Sequence, residues 1–146
     1  IQACLNYYEK ISEEAAEEIR GMLVFDAVIY NEDRHFGNFG VLRDNRTGKV
    51  IGPTPIFDNG LSLFNYAMSD DLEFLEEYAK NRSNPYGISF ENVCREVMGA
   101  KQRNQLRRLI GFHFTRHPSI ISRKNVLGRL RSRSTCVCES SFPCRE

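Results

Sequence analysis

The sequence lacks a long apolar segment, and its formal net charge is only +1. No run approaches the 18 consecutive apolar residues typical of a membrane helix, and the first 20 residues do not resemble a secretory signal. Low hydrophobicity together with high net charge would predict disorder, but 41% of the residues are apolar. We therefore expect one folded domain of a cytoplasmic protein that has no membrane partner, since 146 residues suit a single domain.

The five cysteines do not form the pattern of a disulfide framework or a zinc site. Their number is odd and no export signal accompanies them, which argues against disulfides. Cys136, Cys138 and Cys144 cluster in sequence, but a closed zinc site needs four ligands, usually in pairs spaced C-x₂₋₄-C. We expect free thiols on a disordered tail over residues 131–146.

Charge is divided unevenly along the chain. Residues 1–100 contain 9 basic and 17 acidic side chains, whereas residues 101–146 contain 11 basic and 2 acidic ones. The basic part could contact nucleic-acid phosphates, dock on an acidic face of the same protein, or form a solvated helix face. Direct nucleic-acid binding is the less favoured interpretation, because Leu106, Leu109, Ile110 and Leu130 recur in these segments at a spacing that predicts helices packed on a core.

A long helix is predicted from Ser12 to Tyr30. Ser12 is a good N-cap, and the acidic residues that follow suit the positive end of the helix dipole. Asp26 falls on or beside the apolar stripe of this helix, and its carboxylate should be hydrogen-bonded because an unpaired buried charge is costly. Further helices are predicted over residues 70–80, 89–98 and 101–114, and from Pro118 onward, with Gly99 as a helix stop and Leu106, Leu109, Ile110 and Phe114 on one side of their helix.

A β-hairpin is predicted after the long helix. Its strands span residues 39–43 and 49–51, and the turn-rich segment 44–48 joins them. Gly52, Pro53 and Pro55 should interrupt regular pairing on the return. The predicted fold class is therefore mainly α with a small β-hairpin.

Polar residues with catalytic potential concentrate around this hairpin. Asp33 and Asn38 lie on the loop that enters it, and Asp58 lies on the exit. Because a hairpin returns its second strand beside its first, Asp58 should come back near Asn38. Asn38 and Asp58 offer the hard oxygen ligands that Mg²⁺ prefers, and Asp33 could accept a proton from a hydroxyl nucleophile. Each also has a plain structural interpretation as a turn or strand-entry residue.

The order of these parts is that of a kinase catalytic loop: a base, a metal-binding amide five residues later, and a metal-binding Asp after a hairpin. The stretch DAVIYNEDRHFGNFG over residues 26–40, followed by PIFDNG over 55–60, resembles the catalytic lobe of HipA-like serine/threonine kinases. These are bacterial enzymes of the protein-kinase fold, best known from toxin–antitoxin systems. A similar D-R-H-x-x-N followed by D-x-G appears in phosphoinositide-3-kinase-like lipid kinases. The match covers about residues 22–64, less than a third of the chain.

The resemblance implies a role for each motif residue. Asp33 would be the catalytic base, Asn38 a magnesium ligand, and Asp58 the main magnesium ligand at the nucleotide phosphates. The implied cofactors are ATP and Mg²⁺. His35 would brace the loop rather than react, and Arg34 would hold it through an acidic partner.

Asp26 is assigned a supporting, mainly structural role. Two features separate the sequence from the common protein-kinase pattern. Asn59 replaces the Phe of D-F-G, so that the apolar anchor of that motif is missing. The order Asp33-Arg34-His35 replaces His-Arg-Asp, which favours the HipA or lipid-kinase branches.

The implied activity is transfer of the ATP γ-phosphoryl group to a serine or threonine of a protein substrate, with an antitoxin or regulator as a further partner. The 146 residues contain no G-x-x-x-x-G-K-[S/T] motif. They also contain no Gly-rich loop and V-A-I-K lysine ahead of the catalytic loop. We therefore expect residues 1–130 to be a C-terminal lobe whose N-terminal lobe is missing, inactive by itself. A catalytically inactive kinase-like binding module and a lipid or small-molecule kinase fragment remain alternatives.

Overall fold

The computed structural model describes residues 1–112. The predicted helix from Pro118, the tail over residues 131–146 and its cysteines lie outside the described residues. Within residues 1–112 the chain is mainly helical with one two-stranded antiparallel sheet. The elements in chain order are α1 (Gln2–Ile11), α2 (Glu13–Ile29), β1 (Val41–Arg43), β2 (Val50–Pro53), α3 (Ser69–Glu73), α4 (Leu75–Lys80), α5 (Phe90–Val97) and α6 (Ala100–Arg107).

Helix α2 is the central element of the fold. The Ser12 side chain accepts a hydrogen bond from the backbone N–H of Ala15, as the sequence predicts for an N-cap. The helix ends at Tyr30, whose φ of +54° places it in the left-handed region and turns the chain sharply. Because α1, α5 and α6 pack around α2, its apolar residues are buried on more than one face. The buried core residues are Leu5, Ile19, Met22, Leu23, Val24, Ala27, Phe39, Phe90, Val93, Cys94, Val97 and Leu106.

A second, smaller apolar cluster lies beside this core. It comprises Phe64, Leu75 and Ala79. The Tyr30 ring joins the two clusters, since its centroid lies 4.7 Å from that of Phe64 and 5.1 Å from that of Phe90. Aromatic pairs at these separations are favourable. They hold the left-handed end of α2 in place.

The hairpin pairs Val41 with Pro53 and Leu42 with Gly52. The pairing thus continues through Gly52 and Pro53, but as predicted it is not regular, because the register shifts between Leu42 and Arg43, which pairs with Val50. Proline is tolerated here because each strand of a two-stranded sheet is an edge strand, where one side of the backbone needs no partner.

Two predicted helices have different bounds in the structure. The helix expected over residues 70–80 is divided into α3 and α4 at Phe74, whose backbone is not helical (φ −115°, ψ 42°). The helix expected over 101–114 ends at Arg107, and Leu109 and Ile110 are exposed although Leu106 is buried. Phe114 lies outside the described residues. Ser89 caps α5 as predicted.

Helix α1 was not predicted, and it packs against α2 through the fully buried Leu5. Within residues 1–112, no helix combines the length and apolar character needed to cross a bilayer.

Candidate active site

The loop after α2 is anchored on the buried carboxylate of Asp26, which is only 3% exposed. Asn31 Nδ2 donates to Asp26 Oδ1 at 2.9 Å, and Arg34 donates to both oxygens, from Nε at 2.8 Å and from Nη2 at 3.0 Å. These hydrogen bonds confirm the prediction that the Asp26 carboxylate is hydrogen-bonded. Burial raises the pKa of the Asp26 carboxyl above its usual range, because the loss of water outweighs the hydrogen bonds from Arg34 and Asn31.

Arg34 is the hub of the site, and its side chain is 1% exposed. Besides the two bonds to Asp26, Nη1 donates to the carbonyl oxygens of Asn38 at 2.8 Å and Phe57 at 2.6 Å. Nη2 donates to Asn59 Oδ1. A guanidinium has five N–H donors in a planar fork, and here all five have acceptors. One side chain therefore joins α2, the loop before the hairpin and the loop after it.

This geometry brings together the chain segments that carry the three candidate functional residues. Asp33 directly precedes Arg34, and Asn38 contributes a carbonyl to Nη1. Asp58 lies between Phe57 and Asn59, and both of these neighbours accept hydrogen bonds from Arg34. The hairpin thus returns the backbone at Phe57 to the neighbourhood of the Asn38 backbone.

The backbone around Asp33 is held by three hydrogen bonds. Its N–H donates to Asn31 Oδ1 at 3.2 Å, and its carbonyl accepts from Asn38 Nδ2 and from the His35 N–H, both at 2.9 Å. Asn38 is buried, and the bond from its Nδ2 fixes the plane of its amide. Within residues 1–112, no hydrogen bond engages the Asp33 carboxylate or the Asn38 amide oxygen. Both are therefore available to a ligand.

Asp58 is exposed and has a φ of +54°, which is uncommon for a residue other than glycine. Arg34 holds the residues on either side of it, so the surrounding structure stabilises this left-handed conformation. Strained backbone of this kind occurs often at functional sites. The Asp58 side chain is consequently held at the protein surface beside the Arg34 hub.

Sequence reasoning missed the roles of two residues in this network. Asn59 was interpreted as the loss of an apolar anchor, but its amide oxygen is a polar anchor that accepts from Arg34. The Tyr86 hydroxyl donates to the Arg34 carbonyl at 2.8 Å, and burial raises the pKa of Tyr86 to about 12. No local pattern could have identified Tyr86, because it lies 52 residues further along the chain.

His35 is exposed, and its Nδ1 accepts from the Gly37 N–H at 3.0 Å. This contact lies within the loop itself.

The donor set suits a hard cation. No group of three or more His, Cys, Asp or Glu side chains that could hold a metal ion is present in residues 1–112. A site here would use one carboxylate, Asp58, and one amide oxygen, Asn38. Mg²⁺ is commonly bound by one or two protein groups that are completed by substrate phosphates and water. The residues present fit such a site.

Comparisons of this chain with protein-family models, curated protein sequences and solved structures found no match.

Proposed function

We propose that this chain is the catalytic lobe of a HipA-like kinase, which transfers the γ-phosphoryl group of ATP to a serine or threonine of a protein. The observation that carries the proposal is the Arg34 hub. A buried guanidinium with all five donors engaged positions the segments of Asp33, Asn38 and Asp58 with respect to one another. Phosphoryl transfer depends mainly on such positioning and on charge stabilisation.

Each residue has a defined task in this proposal. Asp33 accepts the proton of the attacking hydroxyl, since no residue within 1–112 forms a hydrogen bond with its carboxylate. Asn38 and Asp58 hold a magnesium ion, which neutralises charge on the nucleotide phosphates when it is bound. Arg34 touches neither substrate nor metal: it is a positioning residue that fixes the loops before and after the hairpin.

Paramagnetic broadening by Mn²⁺ tests the metal site on the 146-residue chain itself. In the presence of ATP, Mn²⁺ should broaden the amide resonances of Asn38 and Asp58 before any others. Asp58→Asn should remove this selective broadening. Asp70→Asn is the matched control, because Asp70 is also an exposed aspartate and lies at the start of α3.

Broadening that is spread over the acidic surface and is unchanged by Asp58→Asn would contradict the metal site.

In a protein that contains this lobe and is active, Asp33→Asn should lower the transfer rate roughly 10²–10⁴-fold, the usual range for loss of a general base. Its nucleotide affinity should change little. Transfer to a lipid instead of a protein acceptor in that assay would assign the site to the lipid-kinase branch.

A further inference from the structure

One face of α2 borders an open apolar groove, which is separate from the Arg34 hub. The groove has a volume of about 520 Å³ and lies between α2, the segment 56–64 and α6. Phe25 on α2 is 40% exposed in it, and Phe112 is 46% exposed at its edge. None of Asp33, Asn38 and Asp58 lines it. A continuous exposed apolar surface of this kind usually marks a contact with another segment or partner.

The sequence that follows the groove has a pattern that fits it. Phe112 is the last described residue and lines the groove. From Pro118 onward the sequence predicts an amphipathic helix. At 3.6 residues per turn, Ile120, Val126, Leu127 and Leu130 fall within an arc of about 120°, the width of an apolar stripe that faces a core, whereas Ile121 lies outside it.

The linker to this helix is long enough for it to turn back into the groove. Residues 113–117 can span roughly 17 Å when extended. An amphipathic helix laid in an apolar groove is a common mode of recognition.

Charge favours the same arrangement. Residues 113–146 carry seven basic and two acidic side chains, whereas residues 1–112 carry 13 basic and 17 acidic ones. Glu18 lines the groove with its side chain about half exposed and with Oε1 paired to Lys101 Nζ at 3.3 Å, and Glu13 and Glu14 are exposed at the start of the same helix. Arg123 falls within the apolar arc of the predicted helix, and a long arginine side chain can reach such an acidic rim from an apolar contact.

We propose that residues 118–130 of this chain dock as an amphipathic helix into the groove between α2, the segment 56–64 and α6. The apolar stripe of the helix covers Phe25 and Phe112. Its basic residues lie beside the acidic side chains at the start of α2. The proposal does not depend on the catalytic function of the Arg34 hub.

A tryptophan reporter in the full chain tests this docking, because the sequence contains no tryptophan. Phe25→Trp places the reporter in the groove. Ile120→Glu with Leu127→Glu places charge in the apolar stripe and should prevent docking. Acrylamide quenching of the F25W indole should then rise about threefold, because the docked helix no longer shields the reporter from solvent. Ser122→Glu with Asn125→Glu adds the same charge at two positions outside the apolar arc of the predicted helix and should leave the reporter shielded.

Phe36→Trp supplies a second control, since Phe36 is 69% exposed and does not line the groove. Its quenching should be high and equal in all backgrounds. Amide hydrogen exchange of Val28 in the chain without a reporter gives an independent readout, and it should accelerate only in the I120E/L127E background.

Equal quenching of the F25W indole with and without I120E/L127E, or unchanged exchange at Val28, would overturn the proposal. Shielding that weakens on dilution, together with dimers in sedimentation, would also overturn it, because a second copy of the chain would then occupy the groove.

Discussion

At the scale of single residues, the ion pair between Arg34 in the polar loop and Asp26 on α2 is important for the structure. A buried ion pair contributes little net stability by itself, but removal of one partner leaves a buried charge without compensation. Lysine could not replace Arg34, because a single ammonium cannot bond two carboxylate oxygens, two carbonyls and an amide oxygen in one plane. The identity of residue 34 is therefore set by geometry as well as by charge.

Arg34→Met should lower the free energy of unfolding at pH 7 by about 3–5 kcal/mol. The loss should become smaller as the pH falls. Burial already raises the pKa of Asp26, while Arg34 lowers it, so the variant should raise this pKa further. A raised carboxyl pKa contributes stability that is present below the unfolded value and is lost as the pH rises through the folded value.

Urea denaturation of both proteins between pH 4 and 7 measures the effect of Arg34→Met. Arg43→Met is the control, since within residues 1–112 Arg43 donates only to the exposed Gly48 carbonyl, and it should change stability by no more than about 0.5 kcal/mol. A loss for Arg34→Met that is independent of pH would show that Asp26 is not the group left uncompensated.

Tyr86→Phe should destabilise the protein by about 1 kcal/mol at pH 7, because the Arg34 carbonyl loses a donor. Burial raises the pKa of Tyr86 from 10 to about 12. The folded state thus favours the neutral phenol, and the stability linked to Tyr86 is lost as the pH rises from 10 to 12. The difference in stability between wild type and Tyr86→Phe should consequently shrink over this interval. A constant difference would mean that Tyr86 titrates alike in the folded and unfolded chains.

At the scale of elements, the carboxylate of Asp44 stabilises the turn of the hairpin. Asp44 Oδ1 accepts from the N–H groups of Arg46 and Thr47 and from the Thr47 hydroxyl. Gly48 follows with a φ of +71°, a conformation that glycine adopts without strain. The turn is thus closed by local contacts, which explains why its position could be predicted from the sequence.

Hydrogen bonds from Thr47 lower the pKa of Asp44. The hairpin should accordingly be most ordered above the usual aspartate pKa and should loosen as the pH falls through the lowered value. The amide chemical shift of Thr47 measures this transition. Asp44→Asn should remove the pH dependence, whereas Asp70→Asn should leave it intact. A transition that persists in Asp44→Asn would assign it to another carboxyl group.

Element boundaries were predicted well where local signals are strong and poorly where packing decides. Ser12 and Ser89 both cap helices as expected. The break at Phe74 between α3 and α4 has no glycine or proline to mark it. At this break the chain bends, and Leu75 and Ala79 pack against Phe64. The bend therefore depends on a tertiary contact with Phe64 and not on a local sequence signal.

At the scale of the whole molecule, the 146-residue chain should fold but transfer no phosphate by itself. The core around α2 supports folding. The sequence contains neither of the usual kinase devices for holding nucleotide phosphates, a Gly-rich loop with a strand lysine or a phosphate-binding P-loop. An assay of the purified chain with labelled ATP, Mg²⁺ and a generic protein acceptor checks this. Robust transfer that disappears in Asp58→Asn would show that these 146 residues are sufficient for catalysis.

The sequence by itself determined the mainly helical class, the cap of α2, the hairpin turn and the order of Asp33, Asn38 and Asp58. These features depend on periodicity, on capping and turn chemistry, and on spacing within about 30 residues, all of which are local in the chain. Only the tertiary structure decided that Arg34 binds Asp26 and the 57–59 segment, that Tyr86 supports Arg34 from a distant segment, and that one face of α2 borders a groove. A buried polar network is assembled from donors and acceptors that meet only when distant segments pack, so its partners leave no periodic signal in the sequence.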